Sequence, residues 1–112
     1  MKIYHNPRCS KSRSGLAILE GSGKPFEVVQ YLKTPLDKKQ IEVLLKKLDF
    51  KPIELVRKNE AIWKEKFKGK DLTDNEIIAA MAAYPKLIER PIVVKGDKAI
   101  IGRPPELIKN LL

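Results

Sequence analysis

At 112 residues the chain has room for one domain and not two, and its 43% hydrophobic and 33% charged content excludes a disordered protein. No apolar run approaches the roughly 20 residues that span a bilayer, and the single cysteine, Cys9, excludes an internal disulfide framework and a Cys-only metal site. The net charge of +9, from 23 Lys+Arg against 14 Asp+Glu, invites nucleic acid, an anionic surface or a small oxyanion as partner, but the lysines run evenly along the chain without aromatic interleaving or a basic tail, which argues against nucleic acid and leaves a solvated surface or a small anionic ligand.

Residues 2–5 alternate in a β-prone pattern and predict a first strand, entered with no signal-peptide h-region, so a cytoplasmic protein is expected. After Asn6-Pro7-Arg8 a helical period begins at Cys9 or Ser10, with Leu16, Ile18 and Leu19 as its apolar content, and Gly21-Ser22-Gly23 ends it. Phe26 to Tyr31 reads as a second strand, giving a βαβ unit with parallel strands and a right-handed crossover.

The middle is helical. Asp37 and Gln40 have capping-box spacing ahead of an apolar stripe of Ile41, Leu44, Leu45 and Leu48. Pro52 opens a shorter helix, Lys64 to Lys70 reads as a charged exposed connection, and Thr73 with Glu76 caps a helix that ends before Pro85. Trp63 and Phe67, four apart, are expected to cover the core. Pro91 to Val94 and Ala99 to Ile101 form a hairpin about a glycine-containing turn, and a closing helix carries Leu107, Ile108, Leu111 and Leu112. This order predicts a single α/β domain over 1–112, thioredoxin-like, with a four-stranded mixed sheet and a helical insertion over about 36–88.

Chemistry centres on Cys9. A cysteine between a strand end and a helix N-terminus meets unpaired N–H groups and the positive end of the helix dipole. Arg8 and Arg13 add positive charge close by in sequence, and Ser12 can hydrogen-bond the sulfur, so a thiol of lowered pKa is expected, with Lys11 a further candidate of the loop. Cys9-Ser10-Lys11-Ser12 is C-x-x-S, without a second sulfur, so an external thiol must complete any redox cycle. His5, the only imidazole, either tunes the thiolate or anchors the Asn6-Pro7 loop. Arg57, Arg90 and Arg103 stand beside apolar segments, where arginine suits bidentate oxyanion binding, and Arg90-Pro91 is a candidate cis peptide. No metal-ligand set or glycine-rich nucleotide loop is present.

Tyr4-His5-Asn6-Pro7-Arg8-Cys9-Ser10-Lys11-Ser12-Arg13 resembles the active-site loop of the ArsC-type, glutaredoxin-coupled arsenate reductases. Leu55-Val56-Arg57-Lys58-Asn59, Glu89-Arg90-Pro91-Ile92-Val93-Val94 and Ile101-Gly102-Arg103-Pro104-Pro105-Glu106 follow in the family's order. The resemblance implies a Cys9 nucleophile supported by His5 and Ser12, an oxyanion-binding triad of Arg57, Arg90 and Arg103, and a cis junction at Pro91. It implies arsenate reduction with glutathione as co-substrate, glutaredoxin as partner and no bound cofactor. Arg8, Ser10 and Lys11 stand where better-known members carry small or neutral residues, which marks a distinct branch. Two other functions fit the same residues: a thiol oxidoreductase acting on another oxyanion or a glutathione-mixed disulfide, and an Spx-like regulator of RNA polymerase, against which the missing second cysteine argues.

Overall fold

A computed structural model describes residues 1–112. The elements run β1 (Lys2–Tyr4), α1 (Ser10–Gly21), β2 (Glu27–Val29), α2 (Lys38–Leu48), α3 (Ala61–Lys66), α4 (Asp74–Ala83), β3 (Ile92–Lys95) and β4 (Lys98–Ile101), with 3₁₀ turns at Pro52–Leu55, Pro85–Leu87 and Pro105–Asn110. They divide into two compact units, Met1–Thr34 with Arg90–Leu112, and Pro35–Glu89.

The first unit holds one sheet in the order β2-β1-β3-β4. β1 pairs parallel with β2 and antiparallel with β3, placing Ile3 opposite both Val28 and Val93, and β3 pairs antiparallel with β4. This is the thioredoxin-like arrangement. Ile3, Leu19, Val93 and Ile108 are wholly buried and form its core, each worth about 1.5–3 kcal/mol against exposure. α1 stops where Ser22 N–H and Oγ both return to the Leu19 carbonyl, and Gly23, at φ +72, turns the chain toward β2.

The second strand is shorter than its pattern predicts. β2 covers only Glu27–Val29 because Gln30 turns out of the ladder, its carbonyl accepting from Lys33 and Thr34 N–H, while Tyr31 is buried outside the sheet. The closing segment is also not a full α-helix. Pro105–Asn110 winds as 3₁₀ after Pro104, opening with Leu107 N–H on the Pro104 carbonyl.

In the helical unit the Asp37 carboxylate accepts from Gln40 N–H and the Gln40 side chain accepts from Asp37 N–H, the reciprocal box its spacing predicts. Ile41, Leu44, Leu45 and Leu48 are all buried, and Thr73 and Glu76 cap α4 in the same way. Lys64–Lys70 is exposed as expected except for half-buried Phe67, but its first three residues belong to a helix, Ala61–Lys66, with Trp63 inward and its ring 5.5 Å from that of Phe67. The lysines there occupy the exposed side of a short helix whose inward anchor is Trp63. An isolated antiparallel bridge, Val56 to Ile88, with Arg57 N–H on the Leu87 carbonyl and Glu89 N–H on the Leu55 carbonyl, ties the two 3₁₀ turns together.

Candidate active site

Cys9 is the N-cap of α1, extended at φ −95 and ψ 122, and half-buried. The loop before it is braced at each step. His5 N–H continues the parallel ladder to the Val29 carbonyl, Cys9 N–H donates to the Asn6 carbonyl, and Asn6 Oδ1 accepts from Arg8 N–H at 3.0 Å. Beneath the loop lies Ser12, with no exposed surface. Its hydroxyl accepts from Asn6 N–H at 3.0 Å and is hydrogen-bonded to His5 Nδ1 at 2.6 Å. The serine hydroxyl is thus engaged by His5 and Asn6, and it is the Ser12 backbone N–H that favours the Cys9 thiolate.

The thiol feels opposed influences. Burial pushes its pKa up, while the Ser12 N–H, Arg90 and Arg103 pull it down, and the balance moves it from 9.0 to about 7. Arg103 Nη1 lies 3.7 Å from the sulfur and donates to the Arg90 carbonyl at 3.1 Å, so one guanidinium binds both the thiol and the start of β3. The main cationic support comes from the far end of the chain and not from sequence neighbours, the reverse of what the Arg8 and Arg13 flanks suggest. Arg13 instead donates to the Pro7 carbonyl at 3.0 Å and braces the loop. Arg8 and Lys11 are exposed.

His5 is buried, and burial holds its pKa below the usual imidazole value, with Ser12 and Glu20 opposing and Arg13 assisting. It is therefore neutral at pH 7 and joins the loop to α1 through Ser12.

Two peptides are cis, Arg90-Pro91 as expected and Arg103-Pro104, which the sequence reading does not anticipate. Pro91 is buried among small residues. A Cβ on Gly15 would lie 2.9 Å from both Pro91 Cγ and Ile108 Cδ1, and one on Gly102 would lie 3.0 Å from Pro91 Cγ and 2.8 Å from Ile108 Cδ1. Gly15 and Gly102 thus let α1 and the end of β4 close on Pro91. The sequence reading missed both, although a glycine inside a helical period is a sign of close approach.

His5, Asn6, Cys9, Ser12, Arg90 and Arg103 come together in the sheet unit. Arg57 belongs to the helical unit, where Glu60 lies 3.5 Å from its Nε and Glu89 3.4 Å from its Nη1. These carboxylates were also missed; the Glu89-Arg90 junction and the i, i+3 spacing of Arg57 and Glu60 carry the signal.

Such a site can do two things chemically: present a thiolate near neutral pH, and hold oxygen anions on guanidinium groups beside it. Known proteins agree with the architecture. The model of the ArsC family matches residues 4–111. YfgD of Escherichia coli K12, an uncharacterized protein, is 47% identical over 114 residues, covering 100% of this chain and 96% of its own. The arsenate reductase of Neisseria meningitidis is 41% identical over 114 residues, covering 100% of this chain and 97% of its own. The solved arsenate reductase of Vibrio cholerae superposes with a TM-score of 0.94 at 43% identity over 100% of this chain and 98% of that one. With the family pattern running from Tyr4 to Leu111 and relatives matching end to end, the chain belongs to the ArsC family.

Proposed function

We propose that the protein reduces arsenate to arsenite, with Cys9 as nucleophile and external thiols as the source of electrons. The observation that carries this reading is the Arg103 guanidinium 3.7 Å from a thiol of pKa about 7, with Arg90 acting on the same sulfur. The arsenate reductases of Neisseria meningitidis and Vibrio cholerae, alike over nearly their whole length, support the choice of oxyanion.

In the first step the Cys9 thiolate attacks arsenic, a S–As bond forms, and the displaced hydroxide takes up a proton and leaves as water. Arg90 and Arg103 stabilise the oxygens of the adduct, which carry charge in the transition state. Arsenic then falls from the +5 to the +3 state. The two electrons come from two external thiols, glutathione and a glutaredoxin cysteine, which depart as one disulfide while Cys9 returns as thiolate and arsenite leaves. A single-cysteine chain needs both thiols from outside. In this reading His5 and Ser12 hold the loop that presents Cys9, and Arg57 is a third arginine for the oxyanion. The chain needs no bound cofactor and works in the cytoplasm, where thiols stay reduced.

The test is arsenate-dependent NADPH oxidation with glutathione, glutaredoxin and glutathione reductase, for the wild type beside Cys9→Ser and Arg57→Gln. Turnover should vanish in Cys9→Ser, and Arg57→Gln should raise the KM for arsenate. Arsenate turnover retained by Cys9→Ser would sink the reading. A reactive Cys9 with no arsenate turnover would favour the thiol oxidoreductase.

A further inference from the structure

We propose that Arg8 and Lys11 form a docking site for the carboxylates of the small anionic thiol that restores Cys9. The inference rests on the reading of Cys9 as a nucleophile resolved from outside, and assigns the residues that select the resolving thiol.

The thiol must approach from solvent. His5, Asn6 and Ser12 are buried, whereas Pro7, Arg8, Ser10, Lys11 and Arg13 are exposed around Cys9. Of the cations there, Arg8 and Lys11 are uncommitted. The ion pairs of the protein are Lys2 with Glu27 and Arg57 with Glu60 and Glu89, and none involves Arg8 or Lys11. The guanidinium groups that act on the sulfur are those of Arg90 and Arg103, and Arg13 is spent on the Pro7 carbonyl. Arg8 and Lys11 are thus free to serve a ligand that the oxyanion arginines do not hold.

The surroundings reinforce this. No Asp or Glu precedes Glu20 in the sequence. The sheet unit carries 11 basic against 4 acidic residues, and the helical unit 12 against 10, so most of the net charge lies with Cys9. The loop is fixed by the Asn6 contacts to Arg8 N–H and Cys9 N–H, so both cations start from defined backbone positions one and two residues from the thiol. In sequence they stand one and two positions from Cys9, and an exposed cation acts on charges within a screening length of roughly 8 Å at physiological salt. A thiol bearing carboxylates, as glutathione does, gains from this field; a neutral thiol does not, and a cationic one is repelled.

The test isolates this step from arsenate. Methyl methanethiosulfonate converts Cys9 to its methyl disulfide. An added thiolate then attacks, its sulfur bonding to the methylthio sulfur as the S–S bond to Cys9 breaks, releasing the Cys9 thiolate and a mixed methyl disulfide. Loss of the adduct is followed by mass for glutathione, mercaptoethanol and cysteamine, in the wild type and an Arg8→Gln/Lys11→Gln variant, at about 20 mM and about 300 mM salt. At low salt the double substitution should slow glutathione about fivefold relative to mercaptoethanol, speed cysteamine relative to it, and lose both effects at high salt. Equal changes for all three thiols, or a preference indifferent to salt, would overturn the proposal. Failure of arsenate turnover leaves this result untouched, because no arsenate enters the assay.

Discussion

At Cys9, burial is opposed by the Ser12 backbone N–H and by the Arg90 and Arg103 cations, which together bring the thiol to about 7. Removing one of them should tip the balance back. Arg103→Gln deletes the donor 3.7 Å from the sulfur, so the thiolate loses stabilisation and the pKa rises. The pH profile of iodoacetamide alkylation, with a midpoint near 7 in the wild type, should shift upward. At about pH 6.5 the variant should react roughly three- to tenfold more slowly. An unshifted profile would mean that Arg103 does not set the ionisation of Cys9. The sequence shows the reason for a thiolate but not its agents. Cys9 at a strand-to-helix junction, with Ser12 in the first turn, is legible from local spacing. That Arg103, 94 positions away, reaches the sulfur depends on β3 and β4 folding back beside β1, which no local window contains.

Elements place those arginines. Arg90 enters β3 through Pro91, and Arg103 leaves β4 after Gly102, so both depend on how closely α1 and Ile108 press on Pro91. Gly15 is the point of closest approach. Gly15→Ala would bring a methyl to 2.9 Å from Pro91 Cγ and Ile108 Cδ1. Ile108 can swing its terminal carbon aside, but the proline ring cannot rotate away, so the strain falls on the junction that carries Arg90. The variant should lose about 1–3 kcal/mol, read as a lower urea midpoint at constant slope. A midpoint within error of the wild type would show that the junction yields freely. The elements themselves were legible where an apolar period was long or a cap was explicit, as in α2, with its Asp37–Gln40 box and four buried leucine and isoleucine positions. They were not legible where one residue decides the case. Trp63 alone is the buried anchor of α3 among lysines, and the expected last helix is a 3₁₀ one, a difference of one residue in the hydrogen-bond span that an apolar pattern does not resolve.

Over the whole molecule the lysines are evenly spread, but the acidic residues are not. Ten of the 14 lie in the helical unit, so the sheet unit that holds Cys9, Arg90 and Arg103 keeps most of the +9 charge. Reading lysine spacing alone hides this asymmetry, because the fold assigns the first 34 and last 23 residues to one body. Two kinds of anion effect follow, and they can be separated. Diffuse repulsion within the sheet unit is relieved by any salt, whereas a site built on Arg90 and Arg103 responds to oxyanions in particular. At matched ionic strength, arsenate or phosphate at about ten times its dissociation constant should stabilise the protein by about 1.4 kcal/mol over chloride, a rise of roughly 5 °C in Tm for a chain of this size. Arg90→Gln/Arg103→Gln should remove that difference while keeping the general response to salt. If chloride and arsenate act alike, or the arsenate increment survives in the double variant, the excess charge is diffuse and the two arginines hold only the thiol.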